Sequence, residues 1–328
     1  MSALPGNDPA AIQAAAQRLA DGELLGLPTE TVYGLAARAD QDAAVAKIFA
    51  AKGRPADHPL IVHVLDAAGA EPFADHLPDT ARRLMDAFWP GPLTVIVPRA
   101  AGMAEAAAGR QPTVALRSPA HPVARAVLAA ARELGVLGVA APSANRFGRV
   151  SPTLARHVVE EFGPELMVLD GGACEVGIES SIVDCSRERP ALLRPGLLSR
   201  ARIEAALGQP LAEPDAAAPK ASGTLAAHYA PAARVRLLDA DGLSLRLATA
   251  TASGSLEGVA VYSRAQLPAW LWRAQPSDPA AAAHELFAVL RALDAAGARE
   301  IWVESPPRDP AWDGVRDRLS RAAAAFTD

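Results

Sequence analysis

Hydrophobic positions along the chain follow two alternating rhythms. Short apolar runs of strand length are interleaved with segments in which apolar residues recur every three or four positions. Pro9 to Ala20 predicts a helix with Ile12, Ala16 and Leu19 on one side, and Glu23 to Leu27 a short strand after it. Asp42 to Ala51 predicts a second helix, with Val45, Ile48 and Phe49 on one face. Strands are predicted over 59–65, 93–98 and 113–116, followed by a helix over 122–134 with Val123, Val127, Ala130, Ala131 and Leu134 at helical spacing. Segments 137–141 and 166–169 read as strands flanking a helix at 153–162. Segments 181–184 and 191–194 read as short strands before a helix at 199–207. Such alternation predicts an α/β fold whose sheet is twisted and largely covered. Several strands follow one another with no helix between, so a mixed sheet is expected rather than a purely parallel one.

The rhythm stops near Gly208. Gln209 to Pro219 is rich in Ala and Pro and holds no period, as a linker does. It resumes with predicted strands at 234–238, 258–262 and 300–303. An amphipathic helix at 279–296 turns Leu286, Val289, Leu290 and Leu293 inward, and a helix at 315–326 closes the chain. The expected organisation is a larger domain over residues 8–207, a linker over 208–233 and a smaller α/β domain over 234–328.

Composition narrows the function classes. A chain of 328 residues with 50% hydrophobic and 21% charged residues can build two ordinary cores. Its net charge of −5 argues against a general nucleic-acid coat protein, while leaving room for a local basic cleft. Cys174 and Cys185 form no CxxC pair and have no histidine beside them, so buried thiols in a reducing compartment are expected, not a disulfide framework or a zinc site. The N-terminus shows no basic start followed by an apolar run, and no apolar stretch is long and clean enough to span a bilayer, which reads as a cytoplasmic protein.

Polar residues crowd where predicted strands and helices end. Thr29, Glu30, Thr31 and Tyr33 follow the strand that stops at Leu27, the place where open α/β sheets hold ligands. A helix-capping role for the threonines stands beside that reading. Lys52-Gly53-Arg54-Pro55 puts two cations on a hinge at a helix end. They suit a polyphosphate, or they simply complement the helix dipole. Arg117 ends a strand and could hold a carboxylate, although a lone surface arginine is the commoner case. Ser143, Asn145 and Ser151 lie on a loop between a strand and a helix and offer donors to phosphate oxygens, or form a plain Ser/Asn-rich loop. Glu179 alone reads as a solvated carboxylate. No Walker loop, dinucleotide fingerprint, His–Glu–His metal motif or Ser–His–Asp set is present, and no protein metal ligand is identified.

In order along the chain these segments are similar to the signatures of one family. Pro28-Thr29-Glu30-Thr31-Val32-Tyr33-Gly34-Leu35, Lys52-Gly53-Arg54-Pro55, Pro59-Leu60-Ile61-Val62-His63, Pro90-Gly91-Pro92-Leu93-Thr94, Ser143-Ala144-Asn145 with Ser151-Pro152-Thr153, and Arg194-Pro195-Gly196 resemble the YrdC family of threonylcarbamoyl-AMP synthases. His228-Tyr229-Ala230-Pro231 resembles the entrance to the C-terminal domain of its longer members. Two stretches depart from the long form: Ala221 to Ala227 replaces the usual linker motif, and Ala311-Trp312-Asp313-Gly314-Val315 replaces a glycine-rich run.

The resemblance implies a twisted open mixed sheet with a central cleft, plus a Rossmann-like C-terminal domain. It implies a nucleotidyltransferase that makes L-threonylcarbamoyladenylate from L-threonine, bicarbonate or CO2, and ATP with Mg²⁺. The product would pass to a tRNA threonylcarbamoyltransferase complex, for modification of the adenosine beside the anticodon. By motif match, Lys52, Arg54, Ser143 and Asn145 are the set around ATP, with Ser151 and Arg194 as further nucleotide contacts; Tyr229 joins the ATP-binding residues only on the reading of the linker as a lid. Thr29, His63, Arg117 and Ser181 fall on the threonine side. Separately, the polar and aromatic residues inside the linker read either as a lid that brings His228 or Tyr229 near the nucleotide, or as a tether in which Tyr229 docks the second domain. The competing reading is an RNA-binding module of the same fold; the acidic balance and the lack of interleaved basic and aromatic residues count against it. A carbamoyl-adenylate domain of hydrogenase maturation is also weighed, but two cysteines leave no place for the zinc fingers of those proteins.

Overall fold

A computed structural model describes residues 3–326. It divides the chain into two units: the first runs to Phe147 and resumes from Ser151 to Thr224, and the second comprises Gly148–Val150 and the chain from Leu225 onward. The first unit holds ten strands: β1 (Leu4–Pro5), β2 (Leu25–Leu27), β3 (Gly34–Arg38), β4 (Ile61–His63), β5 (Leu93–Pro98), β6 (Thr113–Arg117), β7 (Val139–Ala140), β8 (Leu169–Asp170), β9 (Ser181–Asp184) and β10 (Ala191–Arg194). Eight of them form one sheet in the order β10-β9-β5-β6-β4-β7-β3-β2. Only β5 with β9 and β4 with β6 run parallel; the other neighbours are antiparallel, so the sheet is mixed as expected. β1 and β8 pair separately, and a bridge from Val168 to Gly26 ties that ribbon to β2.

Helices cover the sheet with two separate cores. One gathers Leu35, Val62, Val95 and Val183 of the strands with Val45, Ile48 and Phe49 of α2 (Asp42–Lys52) and Leu84 and Met85 of α4 (Asp79–Phe88); a single helical turn at Ala67–Ala70, α3, precedes α4. The other gathers Leu25, Leu27 and Val139 with Leu19 of α1 (Pro9–Ala20) and Val127 of α5 (Pro122–Glu133). Burying each such aliphatic side chain stabilises the fold by about 1.5–3 kcal/mol. β5 is buried at every position but its last, which is why its sequence is apolar without alternation except at Thr94, whose hydroxyl bonds Ser180 Oγ. α2 stops where Gly53 takes φ 64°, a left-handed cap that any side chain would strain. α6 (Ala155–Phe162) and α7 (Arg200–Leu207) complete the unit. Both cysteines are free and buried, and burial pushes the Cys185 thiol up to about 12.

The second unit carries a four-stranded, wholly parallel sheet in the order β11-β14-β12-β13, from β11 (Arg234–Leu238), β12 (Val259–Ser263), β13 (Leu271–Ala274) and β14 (Glu300–Glu304). α8 (Ala240–Ala252), α9 (Pro279–Ala295) and α10 (Asp313–Ala324) accompany it, giving the small α/β domain expected. Gly148–Val150 belongs here: Arg149 bridges to Ala230, and the Ala230 N–H donates to the Gly148 carbonyl at 2.9 Å.

Six elements escape the sequence reading, the short β1 and α3 among them. β3 is Gly-Leu-Ala-Ala-Arg, a string with little strand propensity that is extended only because β2 and β7 pair on either side of it. α4 and α8 lie between stretches read as strands, and β13 is a half-exposed edge strand with no clean alternation. Predicted strands 59–65 and 137–141 shrink to β4 and β7, because only the residues facing a partner strand make ladder bonds. On α9, Phe287 takes the buried place expected of Val289, which is half-buried. Among the described residues no helix is long and apolar enough to cross a membrane.

Candidate active site

Two polar clusters lie on the first unit. The first is built at the end of α2. Lys52 is 3% exposed, and its Nζ donates to the carbonyls of Ser143, at 2.5 Å, and Asn145. A cation at a helix end therefore reaches across to the loop after β7 instead of entering solvent. Burial, with the Arg54 charge next, holds the Lys52 pKa well below the ordinary lysine value. Arg54 donates through Nη2 to the Pro59 carbonyl at 2.8 Å and to Ser222 Oγ at 3.4 Å, and its guanidinium sits 5.8 Å from the Phe147 ring centroid. The Asn145 amide donates to the Arg146 carbonyl at 2.7 Å, while half-buried Ser143 makes an isolated backbone bridge to Gly34. Ser151 is buried and donates to Glu179 Oε1. Arg194, at the end of β10, donates to the Ser180 carbonyl through Nε and Nη2 and to the Ser222 carbonyl through Nη1 at 2.8 Å.

The second cluster is built on the turn between β2 and β3. Thr29 Oγ1 donates to the Val32 carbonyl at 2.6 Å and accepts from the Thr31 and Val32 N–H groups, so it shapes the turn as well as facing the cluster. Arg117 ends β6 and is 3% exposed, not the surface arginine that local sequence favours. It forms an ion pair at 2.6 Å with Glu30, which is 4% exposed, and donates to Thr31 Oγ1 at 2.8 Å and to the Gly91 carbonyl at 3.3 Å. The second Glu30 oxygen accepts from the Ala120 N–H at 3.0 Å. His63 ends β4 and is paired in register with Arg117. Burial first and the Arg117 charge second push its pKa down to about 3, so its imidazole is neutral. Ser181 opens β9 and donates to the Leu198 carbonyl at 3.1 Å.

Of the residues predicted from the sequence, Lys52, Arg54, Ser143 and Asn145 converge on one cluster, and Thr29, His63 and Arg117 on the other. Ser151, Ser181 and Arg194 gather at the turn that precedes β9. Tyr229 lies in the second unit, where its ring packs 5.4 Å from Phe287 and 5.4 Å below the Arg318 guanidinium, with His228 edge-on at 4.2 Å. Its φ of 61° is a strained left-handed value for a tyrosine. Three residues with direct roles in the geometry were not assigned from sequence: Glu30, Thr31 and Glu179. For Glu30 the signal was a lone carboxylate inside an otherwise buried turn. For Glu179 none was available, because its burial comes from strands distant in sequence.

Comparisons with known proteins identify the family of the chain. Residues 17–196 match the Sua5/YciO/YrdC family, described as telomere recombination, and residues 198–324 match the threonylcarbamoyl-AMP synthase C-terminal domain. The threonylcarbamoyl-AMP synthase of Bacillus subtilis is 37% identical over 97% of this chain and 94% of its own length. That of Pyrococcus abyssi is 42% identical over 70% of this chain and 68% of its own. The crystal structure of P. abyssi Sua5 complexed with L-threonine superimposes with a TM-score of 0.87 at 34% identity, covering 96% of this chain and 94% of that one. With both domains matched in order, the chain belongs to the two-domain Sua5-type threonylcarbamoyl-AMP synthases.

Proposed function

We propose that the two clusters are the two halves of one reaction site in the first unit, which makes threonylcarbamoyl-AMP for tRNA threonylcarbamoylation. L-Threonine and bicarbonate or CO2 give a carbamate; a carbamate oxygen attacks the α-phosphorus of ATP, and pyrophosphate leaves. No covalent enzyme nucleophile is needed, so the protein's work is to hold two anions together and stabilise charge at phosphorus. The observation that carries the reading is Lys52, a buried ammonium whose hydrogen-bond partners are carbonyls only. A cation kept dry with no carboxylate bound to it is poised for a phosphate oxygen.

On this reading Lys52, Arg54, Ser143, Asn145, Ser151 and Arg194 hold ATP. Thr29, His63, Arg117 and Ser181 hold threonine. The described residues of the first cluster supply cations and neutral donors, and no group of three His, Cys, Asp or Glu stands together. That donor set suits a Mg²⁺ carried in on the triphosphate, where it would offset phosphate charge. The linker residues up to Thr224 lie on the first unit: Ser222 meets Arg54 and Arg194, and Lys220 pairs with Asp57 at 2.8 Å. This supports a cover that shields a labile adenylate from water. A cytoplasmic site of action and hand-over of the product to a tRNA threonylcarbamoyltransferase complete the proposal. Pyrophosphate release from ATP that requires both threonine and bicarbonate tests it; release that ignores either one overturns it.

A further inference from the structure

Tyr33 has no role in the scheme above, yet it is fully buried and stands between the turn that carries Thr29 and Glu30 and the rest of β3. Its backbone is bonded to the loops of the first cluster. The Tyr33 carbonyl accepts from the Ala144 N–H at 2.8 Å, in the middle of Ser143-Ala144-Asn145, whose outer carbonyls receive Lys52. The Tyr33 N–H donates to the Pro152 carbonyl at 2.9 Å, next to Ser151. Its side chain bonds a different segment. The hydroxyl donates to the Gly172 carbonyl at 2.8 Å and accepts from the Gly171 N–H at 3.1 Å, with Asp170 Oδ1 further off at 3.4 Å. A phenol can be donor and acceptor at once, and phenylalanine can be neither.

The segment that the hydroxyl grips, residues 170–176, borders the second cluster. Gly171 packs on Pro28, the residue before Thr29: a Cβ at Gly171 would come within 2.8 Å of the Pro28 ring. At the other end of the segment the Val176 N–H donates to the Glu30 carbonyl at 2.8 Å, and Glu30 is the ion-pair partner of Arg117. Between them the Cys174 N–H donates to the Thr153 carbonyl at 3.1 Å. The Gly171-Gly172 end depends on side chains from elsewhere, because adjacent glycines have none of their own and lose the most freedom when fixed. Asp170 Oδ1 accepts from the Gly172 N–H at 2.9 Å, and His121 meets the Gly171 carbonyl at a long 3.3 Å. Tyr33 bonds both glycines.

We propose that Tyr33 is a positioning residue for adenylate formation: its backbone is tied to the loops that hold Lys52, its hydroxyl to the segment that holds Pro28 and Glu30, and through it the two substrates meet in register. The inference rests on the reading that the two clusters are two halves of one site. The reaction joins a carbamate oxygen to phosphorus, and in such a step a misplacement of about 1 Å costs on the order of a hundredfold. Tyr33 acts here through Pro28, Glu30 and the loop after β7. Losing its hydroxyl slows the joining step more than it weakens the binding of either substrate alone.

The test compares full-length wild type, Tyr33→Phe and Gly172→Ala. It measures pyrophosphate release at saturating ATP, threonine and bicarbonate, and the binding of ATP alone and of threonine alone by calorimetry. Every assay is run below the melting transition of the variant, so that lost stability by itself leaves kcat unchanged. Tyr33→Phe keeps the ring and both backbone bonds. Its kcat is expected to fall about tenfold, while each Kd stays within about twofold of wild type. A kcat within about twofold of wild type overturns the proposal, and so does a loss that lies in the affinity for one substrate, which would assign Tyr33 to that half alone. Should Tyr33→Phe fail to fold, Gly172→Ala carries the test. Its Cβ meets nothing within 4 Å, but a φ of 84° disfavours any side chain, so the change disturbs the carbonyl that accepts from Tyr33. A lower kcat with both Kd values kept supports the proposal, and an unchanged kcat overturns it. Wild type that releases pyrophosphate without threonine or bicarbonate would defeat the reading of two halves, an outcome distinct from a normally dependent wild type matched by an equally fast Tyr33→Phe.

Discussion

Lys52 and Arg117 are buried cations, one in each polar cluster, and they are paired in opposite ways. Arg117 is neutralised by Glu30 at 2.6 Å, and further bonds from Thr31, Gly91 and Ala120 tie the pair into the turn. Lys52 has backbone carbonyls as its hydrogen-bond partners, and its nearest carboxylates act only at a distance. An amino acid is a zwitterion with no net charge, and a paired guanidinium can hydrogen-bond its carboxylate without an excess of positive charge. ATP carries several negative charges, and an ammonium lacking a bound counter-ion attracts it by charge. On the proposed assignment, burial alone does not set the role of a cation; what it is paired with does.

The largest effect is expected from breaking the paired side. Glu30→Ala leaves Arg117 buried without its partner and should destabilise the first unit by about 3–5 kcal/mol in a denaturant titration. Glu30→Leu combined with Arg117→Met should recover most of that loss, since both charges go together, while threonine-dependent activity disappears. A loss below about 1 kcal/mol for the single variant would place the pair among solvated surface bridges and void the comparison.

Lys52→Ala tests the unpaired side. Pyrophosphate release should fall by about 10²–10³, the scale for losing one preorganised electrostatic donor, with a loss of stability of about 1–3 kcal/mol because the Ser143 and Asn145 carbonyls lose their donor. If the variant instead unfolds readily while its residual activity is normal, Lys52 is a structural cross-link between α2 and the loop after β7.

His63 reports the electrostatics of the paired side through pH. Unfolded, it binds a proton near its ordinary value of 6.5; folded, it does so only near 3. Below pH 6.5 the unfolded chain therefore holds more protons, and stability falls as pH drops from about 6.5 towards 3. By linkage the loss is on the order of 3 kcal/mol at pH 4. Replacing His63 with Gln should remove this part of the acid sensitivity, and an unchanged acid profile would show that His63 titrates normally in the folded state.

The smallest effect is expected from Arg117→Lys, which keeps the charge beside Glu30 and loses the planar fork. The threonine KM should rise about tenfold with kcat and ATP affinity nearly unchanged, the pattern of lost uniform binding. A change in ATP affinity instead would reassign Arg117 to the nucleotide.

The sequence by itself determined the class of fold, and it singled out the polar segments that the structure gathers into the two clusters. Apolar periodicity records which face of each element is buried, and the order of the Thr-Glu-Thr, Lys-Gly-Arg and Ser-Ala-Asn segments survives in one dimension. Tertiary structure alone decided which polar groups pair. Glu30 lies far along the chain from Arg117, Ser151 from Glu179, and Lys52 from the carbonyls it reaches, and no local pattern encodes such distances. It also decided burial: Arg117, Lys52 and Glu179 look like solvated charges in their own neighbourhoods and become dry only when strands remote in sequence close around them. β3 shows the same for the backbone, since Gly-Leu-Ala-Ala-Arg is extended because its neighbours in the sheet hydrogen-bond it there. Local propensity acts over a few residues, whereas dielectric environment and charge pairing are properties of the folded volume.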